Sequence, residues 1–235
     1  MKRLLKFSTR QMNKIKIIIF DADGTIFDSM PFTAKVFADV LERYGVPRKE
    51  SENYMYATAG TPPAETFIGI LKKYNKPTNE IKNIIKEFFD SMENSNPKIY
   101  EDVLPTFKKL KSYKKIVSTN LRQNILNKRI KQHNLHLYLD EYFGTNGFKS
   151  KEEHFDEVKR IYHLSAQDFR NTVMLVGDGK KDMKFAKKYG IIGIGRIGIN
   201  NAKTLKQAGA SYIIHNLLEI LKILENGKKT AKKYF

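Results

Sequence analysis

Four aspartates stand in two short motifs whose spacing could gather them around one metal ion. Asp21 and Asp23 lie two residues apart in DADGT, and Asp178 and Asp182 lie four residues apart in GDGKKD. Residues four apart share one face of a helix, so the second pair can approach a single ion. Four carboxylates at one place repel one another unless a cation neutralises them, and hard oxygen ligands of this kind suit Mg2+.

A third motif, STN at residues 118–120, offers hydroxyl and amide groups. Taken singly, each motif also fits an ordinary structural role, because Asp, Ser, Thr and Asn commonly cap helices and form turns. The order of the motifs along the chain favours a functional site over these structural roles. DxDGT, a hydroxyl, a basic residue and GDxxxD follow one another, each at the end of a suitable element.

The elements that carry these motifs alternate between strands and helices. Short apolar, β-branched runs predict buried strands, and apolar residues at helical spacing predict helices between them. The predicted strands cover residues 16–20, 115–117, 141–143, 172–176, 191–194 and 212–214, and the predicted helices cover residues 32–44, 81–92, 103–110, 125–130, 152–162, 185–189 and 217–224. This alternation predicts an α/β fold, a parallel sheet with helices on both faces. Ligands of such sheets bind beyond the carboxyl ends of the strands, where the motifs stand.

The long segment between the first two strands contains helical patterns and turn signals, and no convincing strand. We therefore predict an inserted helical cap domain over residues 30–97, on a core domain formed by residues 14–29 and 98–235. Residues 1–13 are basic and precede the first strand, so they are predicted to form an N-terminal arm.

Composition limits the function classes. The chain has 235 residues, no cysteine and 41% apolar residues, which excludes disulfide frameworks, thiolate catalysis and global disorder. No apolar run approaches the ~20 residues that span a membrane, so a soluble cytoplasmic protein is expected. The 43 basic residues against 25 acidic ones give a net charge of +18. Because the lysines are scattered, we interpret them as solvated surface charge rather than a nucleic-acid footprint, and they could help attract anionic substrates.

Four motifs together resemble the haloacid dehalogenase superfamily, and in particular its phosphatases. IIIFDADGTIFDS resembles the first family motif, IVSTN the second, a lysine near Lys149 the third, and MLVGDGKKDM the fourth. The resemblance extends from about Lys14 to Leu224. It implies a Rossmann-like core with an inserted cap, and a Mg2+-dependent phosphohydrolase that cleaves a small phosphomonoester through an aspartyl-phosphate. The implied partner is a small phosphorylated metabolite; the resemblance leaves the oligomeric state open.

The resemblance assigns a role to each motif acid. Asp21 would attack phosphorus, and Asp23 would protonate the leaving oxygen and later activate water. Asp21, the backbone carbonyl of Asp23 and Asp178 would hold Mg2+, with Asp182 close behind.

It also assigns the groups that hold the phosphoryl oxygens. Thr119 would hydrogen-bond the transferring group with Asn120 beside it, and we prefer Thr119 to Ser118 because the family hydroxyl commonly precedes Asn. A lysine would offset the negative charge. Counting back along the following helix favours Lys149, with Lys151 as the alternative.

Differences from family members that catalyse other reactions reduce the number of reactions that this chain could catalyse. Dehalogenases of the family lack the second acid of the first motif, and phosphonate-cleaving members carry Ala there, whereas Asp23 is present. Hexose-phosphate mutases of similar outline carry a His in the first cap helix where this chain has Thr33.

In the cap, GTPPAETF resembles the specificity loop of phosphoglycolate-phosphatase-like members, which singles out Gly60, Thr61 and Glu65. The alternatives are a phosphotransferase or mutase of the same fold, and a basic, non-catalytic nucleic-acid-binding protein.

One further motif is set aside. GIGRIG, residues 193–198, matches the dinucleotide fingerprint on paper, but it stands late in the chain, and a lone match of this kind is weak. We interpret it as a glycine-rich loop at a strand end beside the site.

Overall fold

Six strands form one sheet in which every neighbouring pair is parallel. The structure, a computed structural model, describes residues 12–59, 61–93, 95–145 and 150–231. The strand order is β3-β2-β1-β4-β5-β6. The strands are β1 Ile17–Phe20, β2 Lys114–Ser118, β3 Glu141–Phe143, β4 Val173–Gly177, β5 Ile192–Arg196 and β6 Tyr212–Ile214. All six lie where the sequence predicts strands, and their carboxyl ends meet at one edge.

Eleven α-helices connect and flank the strands in the described part of the chain. They are α1 Met30–Glu42, α2 Arg48–Ala57, α3 Pro63–Lys73, α4 Ile81–Glu93, α5 Val103–Lys109, α6 Gln123–Gln132, α7 Lys151–Ile161, α8 Ala166–Thr172, α9 Lys180–Tyr189, α10 Ala202–Ala208 and α11 Glu219–Ala231. None of the described helices is long and apolar enough to cross a membrane.

The two short helices α8 and α10 were not predicted. Each buries only one or two apolar side chains, too few to give a visible helical period. Their N-terminal caps are nevertheless readable: Ser165 accepts a hydrogen bond from the backbone of Asp168, and Asn201 accepts one from Thr204.

The central strand β1 is buried on both faces, as the parallel arrangement requires. Ile18 and Phe20 face one layer of the core, which is completed by α5, α6 and α11. Ile17 and Ile19 face the other, which is completed by α7, α8 and α9. The predicted α/β fold class, with helices on both faces of a Rossmann-like parallel sheet, is therefore confirmed.

Helices α1 to α4 pack around a second core of their own, which includes Phe37, Phe67 and Phe88. It touches the main body through Leu121 and Ile125. The two chain connections to this helical block run side by side, because Asp28 N donates to Lys98 O at 2.8 Å and Tyr100 N to Ile26 O at 3.0 Å.

The predicted N-terminal arm is described only at its end. Residues 1–11 lie outside the described residues. Met12, which the prediction places in the arm, is buried in the main core near Ile15.

Candidate active site

Three buried carboxylates meet at the carboxyl ends of the two central strands. Asp21 follows β1 and continues the ladder, donating its N–H to Val176 O at 2.8 Å. Asp178 follows β4, and Asp182 lies in the first turn of α9. One carboxylate oxygen from each of the three lies within 4.8 Å of the others. The predicted convergence of Asp21, Asp178 and Asp182 is thus present in the structure.

Glycine in the first motif permits this approach. Gly24 has a φ of +77°, a backbone conformation that residues other than glycine rarely adopt. A Cβ at this position would lie 2.2 Å from Oδ2 of Asp178. The loop after β1 can therefore pass against the second motif only because residue 24 has no side chain.

Lys151 is the lysine that the structure places among the carboxylates. It is the first residue of α7, and its Nζ donates to Oδ1 of Asp21 and, at 3.0 Å, to Oδ1 of Asp182. Burial by itself lowers the pKa of Lys151, but the charges of Asp182 and Asp21 outweigh burial and raise that pKa, so the ammonium stays protonated. Lys149, the lysine preferred on sequence grounds, lies outside the described residues, and the geometry favours the alternative, Lys151.

Among the described residues, the single ammonium of Lys151 does not neutralise these three buried carboxylates. Burial raises the pKa of Asp21 to about 7, with Lys151 opposing the rise and Asp182 adding to it. Burial, followed by the charges of Asp21 and Asp182, raises the pKa of Asp178 well above its ordinary value. The site therefore carries uncompensated negative charge that a cation would relieve.

The residues present fit a divalent cation. Oδ2 of Asp178 is buried and has no hydrogen-bond partner among the described residues, which is costly unless another ligand satisfies it. The potential metal ligands near this atom are carboxylate oxygens, the ligand type that Mg2+ prefers. Asp21, Asp178 and Asp182 are therefore the side chains that could hold the ion.

The carboxylate of Asp23 is held apart from this cluster, contrary to the expectation that all four carboxylates converge. Its Oδ1 accepts hydrogen bonds from Ser29 Oγ and, at 2.9 Å, from Nη1 of Arg129. Arg129 is fully buried, and its Nη2 donates to Ser95 Oγ at 2.7 Å. The guanidinium also lies over the ring of Phe27, 5.7 Å from its centroid.

Arg129 and Ser29 are functional residues that the sequence motifs do not single out. A signal for Arg129 exists, since it stands four residues after Ile125 and next to Ile130, on the buried face of α6. A charged residue at such a position needs a buried partner, and Asp23 is that partner.

The two hydroxyl residues of the STN motif, Ser118 and Thr119, lie in different places. Thr119 lies in the wall of the cleft beside the carboxylates, next to Asn120. Ser118 lies beneath them, where its Oγ is 2.8 Å from Nδ1 of His154. The other ring nitrogen of His154 is 3.0 Å from Gly144 O, an acceptor, so Nε2 carries the proton and Nδ1 accepts from Ser118. Of these two residues, Thr119 is thus the one that lines the cleft, and its Oγ1 accepts from Leu121 N at 3.2 Å.

A cleft opens between the sheet edge and the helical block α1–α4. Thr61 lies in its wall, whereas Glu65 is exposed and pairs with Lys181 at 2.8 Å, bridging the helical block and α9. Gly60, the third residue of the predicted specificity loop, lies outside the described residues. GIGRIG contributes the end of β5 and the following turn, where Gly198 lies near Asp178.

Comparison with known proteins decides the family. The sequence model of the haloacid dehalogenase-like hydrolases matches residues 18–195, about three quarters of the chain. The chain belongs to this family. The matched region contains all four motifs, so the family assignment and the site rest on the same residues.

Relatives that align over nearly their whole length carry phosphatase names. The chain is 25% identical to the phosphorylated carbohydrates phosphatase of Thermotoga maritima, over 88% of this chain and 99% of that one. It is 23% identical to the phosphoglycolate phosphatase of Vibrio parahaemolyticus, over 89% and 96%. It is 24% identical to the pyrophosphatase PpaX of Bacillus velezensis, over 89% and 96%. The expected enzyme class, a haloacid dehalogenase-like phosphatase, is confirmed.

Solved structures share the fold. The crystal structure of a predicted phosphatase from Clostridium acetobutylicum superposes with a TM-score of 0.77 at 23% identity, covering 90% of this chain and 99% of that one. A haloacid dehalogenase-like hydrolase from Streptococcus pneumoniae gives a TM-score of 0.76 at 20% identity, covering 89% and 98%.

Proposed function

We propose that this protein is a Mg2+-dependent phosphohydrolase that cleaves a small phosphomonoester through an aspartyl-phosphate on Asp21. The observation that carries the proposal is the contact of a buried, protonated Lys151 with Asp21 inside a cluster of three carboxylates. This arrangement keeps Asp21 close to positive charge while leaving the cluster in need of a cation. Bound Mg2+, held by Asp21, Asp178 and the backbone carbonyl of Asp23, would supply electrostatic stabilisation of the phosphoryl oxygens.

In the first step, a carboxylate oxygen of Asp21 attacks phosphorus and the bond from phosphorus to the alcohol oxygen breaks. Asp23 donates a proton to that oxygen, so the product leaves as a neutral alcohol. In the second step, Asp23 removes a proton from water, which attacks phosphorus and releases Asp21 and inorganic phosphate. Two half-reactions at one phosphorus thus use one nucleophile and one acid–base group.

The remaining groups hold the phosphoryl oxygens and Asp23 in place. Lys151 and the hydroxyl of Thr119 would donate to the oxygens that gain charge, with Asn120 beside them. Arg129 and Ser29 donate to Oδ1 of Asp23 and so orient its carboxylate.

We assign residues 30–97 as a cap on the core formed by residues 14–29 and 98–235, supported by the separate packing of α1–α4 and by the cleft beneath them. A cap that closes on the sheet edge would exclude bulk water and select the substrate. Thr33 lies in the cleft where related mutases carry His, and its hydroxyl donates to Ser29 O at 2.9 Å. Because the Thr33 hydroxyl is already hydrogen-bonded to Ser29 O, it supports hydrolysis over phosphoryl transfer to a second sugar.

The test is phosphate release from an aryl phosphate, measured with Mg2+ and again with a chelator. Wild-type protein should release phosphate only with the metal, and Asp21→Asn should reduce the rate by roughly a thousandfold or more. Asp156→Asn, an exposed change on α7, is the matched control and should behave as wild type. Metal-independent release, or an active Asp21→Asn protein, would contradict the proposal.

A further inference from the structure

The cleft has two chemically different halves. The sheet edge contributes the carboxylates, Lys151, Thr119 and Asn120. The helical block contributes a wall dominated by thioether and aromatic side chains. The large apolar residues of this wall are Met30, Met55, Phe88, Phe89 and Met92, and Leu121 continues it from the core.

This wall offers no charge to a ligand. Every described residue that α1–α4 and their loops contribute to the cleft is uncharged. Lys151 is the one cation among the described residues that line this cleft, and Asp21 and Asp182 already engage it. Arg122 stands next to Leu121, but its guanidinium lies over the ring of Phe89 at 4.4 Å and 3.5 Å from Asp90.

Because Asp21 lies at the sheet edge, a phosphoryl group placed there directs the rest of the substrate toward the helical block. A carboxylate or second phosphate in that direction would lose water against methionine and phenylalanine without gaining a charged partner. An apolar group would gain, by roughly fourfold in affinity for each methylene that the wall buries. Methionine side chains adapt to irregular shapes, and phenylalanine rings favour aromatic ones.

We propose that the substrate is a phosphomonoester of an uncharged, largely apolar alcohol, alkyl or aryl, whose organic part binds against Met55, Phe88 and Met92. This inference rests on the proposed hydrolysis and specifies the leaving group. The same cleft is lined by the carboxylates and by this apolar wall, so one ligand can contact both. Phosphoglycolate and pyrophosphate, the substrates named in two relatives, each place a second anion against the apolar wall.

The direct test is a series of n-alkyl phosphates from ethyl to hexyl, assayed with Mg2+ beside phosphoglycolate and pyrophosphate. From propyl onward the alcohols differ little in intrinsic reactivity, so changes in kcat/KM report binding of the chain. We expect kcat/KM to rise by roughly fourfold per methylene until the wall is covered, and hexyl phosphate to exceed both phosphoglycolate and pyrophosphate at least tenfold. A flat series, or a preference for phosphoglycolate or pyrophosphate, would overturn the inference.

A charge placed in the wall provides a second, independent test. Met55 is only partly buried, so Met55→Arg should be accommodated and should bring a cation into the cleft. We expect this variant to lose tenfold or more on hexyl phosphate and to gain on phosphoglycolate, while Met55→Gln loses on hexyl phosphate without that gain. Leu137→Arg adds the same charge at an exposed site outside the cleft and should change neither rate.

The two proposals fail in different ways. Absence of Mg2+-dependent phosphate release from every ester would contradict the proposed hydrolysis itself. Release that shows no apolar preference, or a Met55→Arg protein that favours the alkyl ester as wild type does, would leave hydrolysis standing and overturn the leaving-group assignment.

Discussion

Nη1 of the fully buried Arg129 lies 2.9 Å from Oδ1 of Asp23, the carboxylate to which we assign proton transfer. The same guanidinium donates to Ser95, and Ser29 donates to the same carboxylate oxygen. Ser29 and Ser95 stand in the two connections between the core and the helical block. Arg129 therefore links the orientation of Asp23 to both connections, and removing it should disturb proton transfer more than phosphoryl attack.

Arg129→Met is expected to reduce kcat in proportion to how much the leaving group needs a proton. An alkyl phosphate needs one, so its kcat should fall by about a hundredfold, within the range that general acid catalysis contributes. p-Nitrophenyl phosphate has a good leaving group and should lose less than about fivefold in the first chemical step. Single-turnover kinetics on both esters make the measurement, and Arg129→Lys should recover part of the alkyl rate.

Arg129→Met also leaves the partly buried carboxylate of Asp23 without its charged partner. Breaking a fully buried pair costs about 3–5 kcal/mol, so the loss here should be smaller, and folding must be checked by thermal unfolding. Lys131→Met, an exposed change on the same helix, is the control. Equal losses on both esters in a folded Arg129→Met protein would show that Arg129 has a general structural role.

Asp178→Asn should stabilise the metal-free protein and abolish its response to Mg2+. Burial and the charges of Asp21 and Asp182 raise the pKa of Asp178, so a neutral amide removes a repulsive charge at this position. Wild-type protein at a Mg2+ concentration 100 times its Kd should gain about 2.7 kcal/mol, and the variant should gain none. Thermal unfolding with and without Mg2+ measures both effects; a metal-free variant less stable than wild type, or one still stabilised by Mg2+, is the opposing result.

Lys151→Met and Lys149→Met should differ strongly in activity. Lys151 contacts Asp21 and Asp182, and loss of its charge should lower kcat by about a hundredfold to a thousandfold, the range seen when one stabilising donor is removed. Lys149→Met should stay within a few-fold of wild type. Steady-state rates on one aryl phosphate measure the difference. Comparable rates in the two variants would contradict the choice of Lys151 as the active-site lysine and favour Lys149 again.

His154 should make the folded state sensitive to mild acid. Burial, with repulsion from Lys151 added, lowers the pKa of His154 from 6.5 to about 4. The unfolded chain therefore binds a proton more readily, so this stability is fully present above pH 6.5 and is lost progressively as the pH falls toward 4. The loss amounts to about 3 kcal/mol.

Urea unfolding at several pH values between 7.5 and 4.5 measures this dependence. His154→Asn should flatten the curve over that window, whereas His136→Gln, a change of an exposed histidine, should not. A pH dependence unchanged in His154→Asn would show that other groups are responsible.

Much of the site could be predicted because strand ends leave little freedom. Asp21 and Asp178 follow adjacent parallel strands, so their meeting requires only the correct strand pairing. Lys151 was harder, because the loop after β3 could place either lysine inward. Ser150 accepts from Glu152 N, and the pattern S-x-x-E from Ser150 to Glu153 marks the helix start that turns Lys151 toward the carboxylates.

Arg129 and the apolar wall of the cleft depend on tertiary packing and were not predicted. Charged residues are usually exposed, so Arg129 becomes informative only once its helix face is known to be buried. Met55 and Phe88 belong to helices whose relative position no local pattern specifies. Their contribution to the cleft follows from how α1–α4 pack over the sheet edge.

The central claim, covalent catalysis by Asp21, is tested most directly by trapping the phosphorylated protein. Asp23→Asn should still accept phosphate from p-nitrophenyl phosphate, which needs no acid, but should release it slowly because water is not activated. Acid quenching and peptide mass analysis should then find one phosphoryl group on Asp21, and none in the Asp21→Asn, Asp23→Asn double variant. Phosphate release at an undiminished rate with no phosphorylated Asp21 would contradict the account.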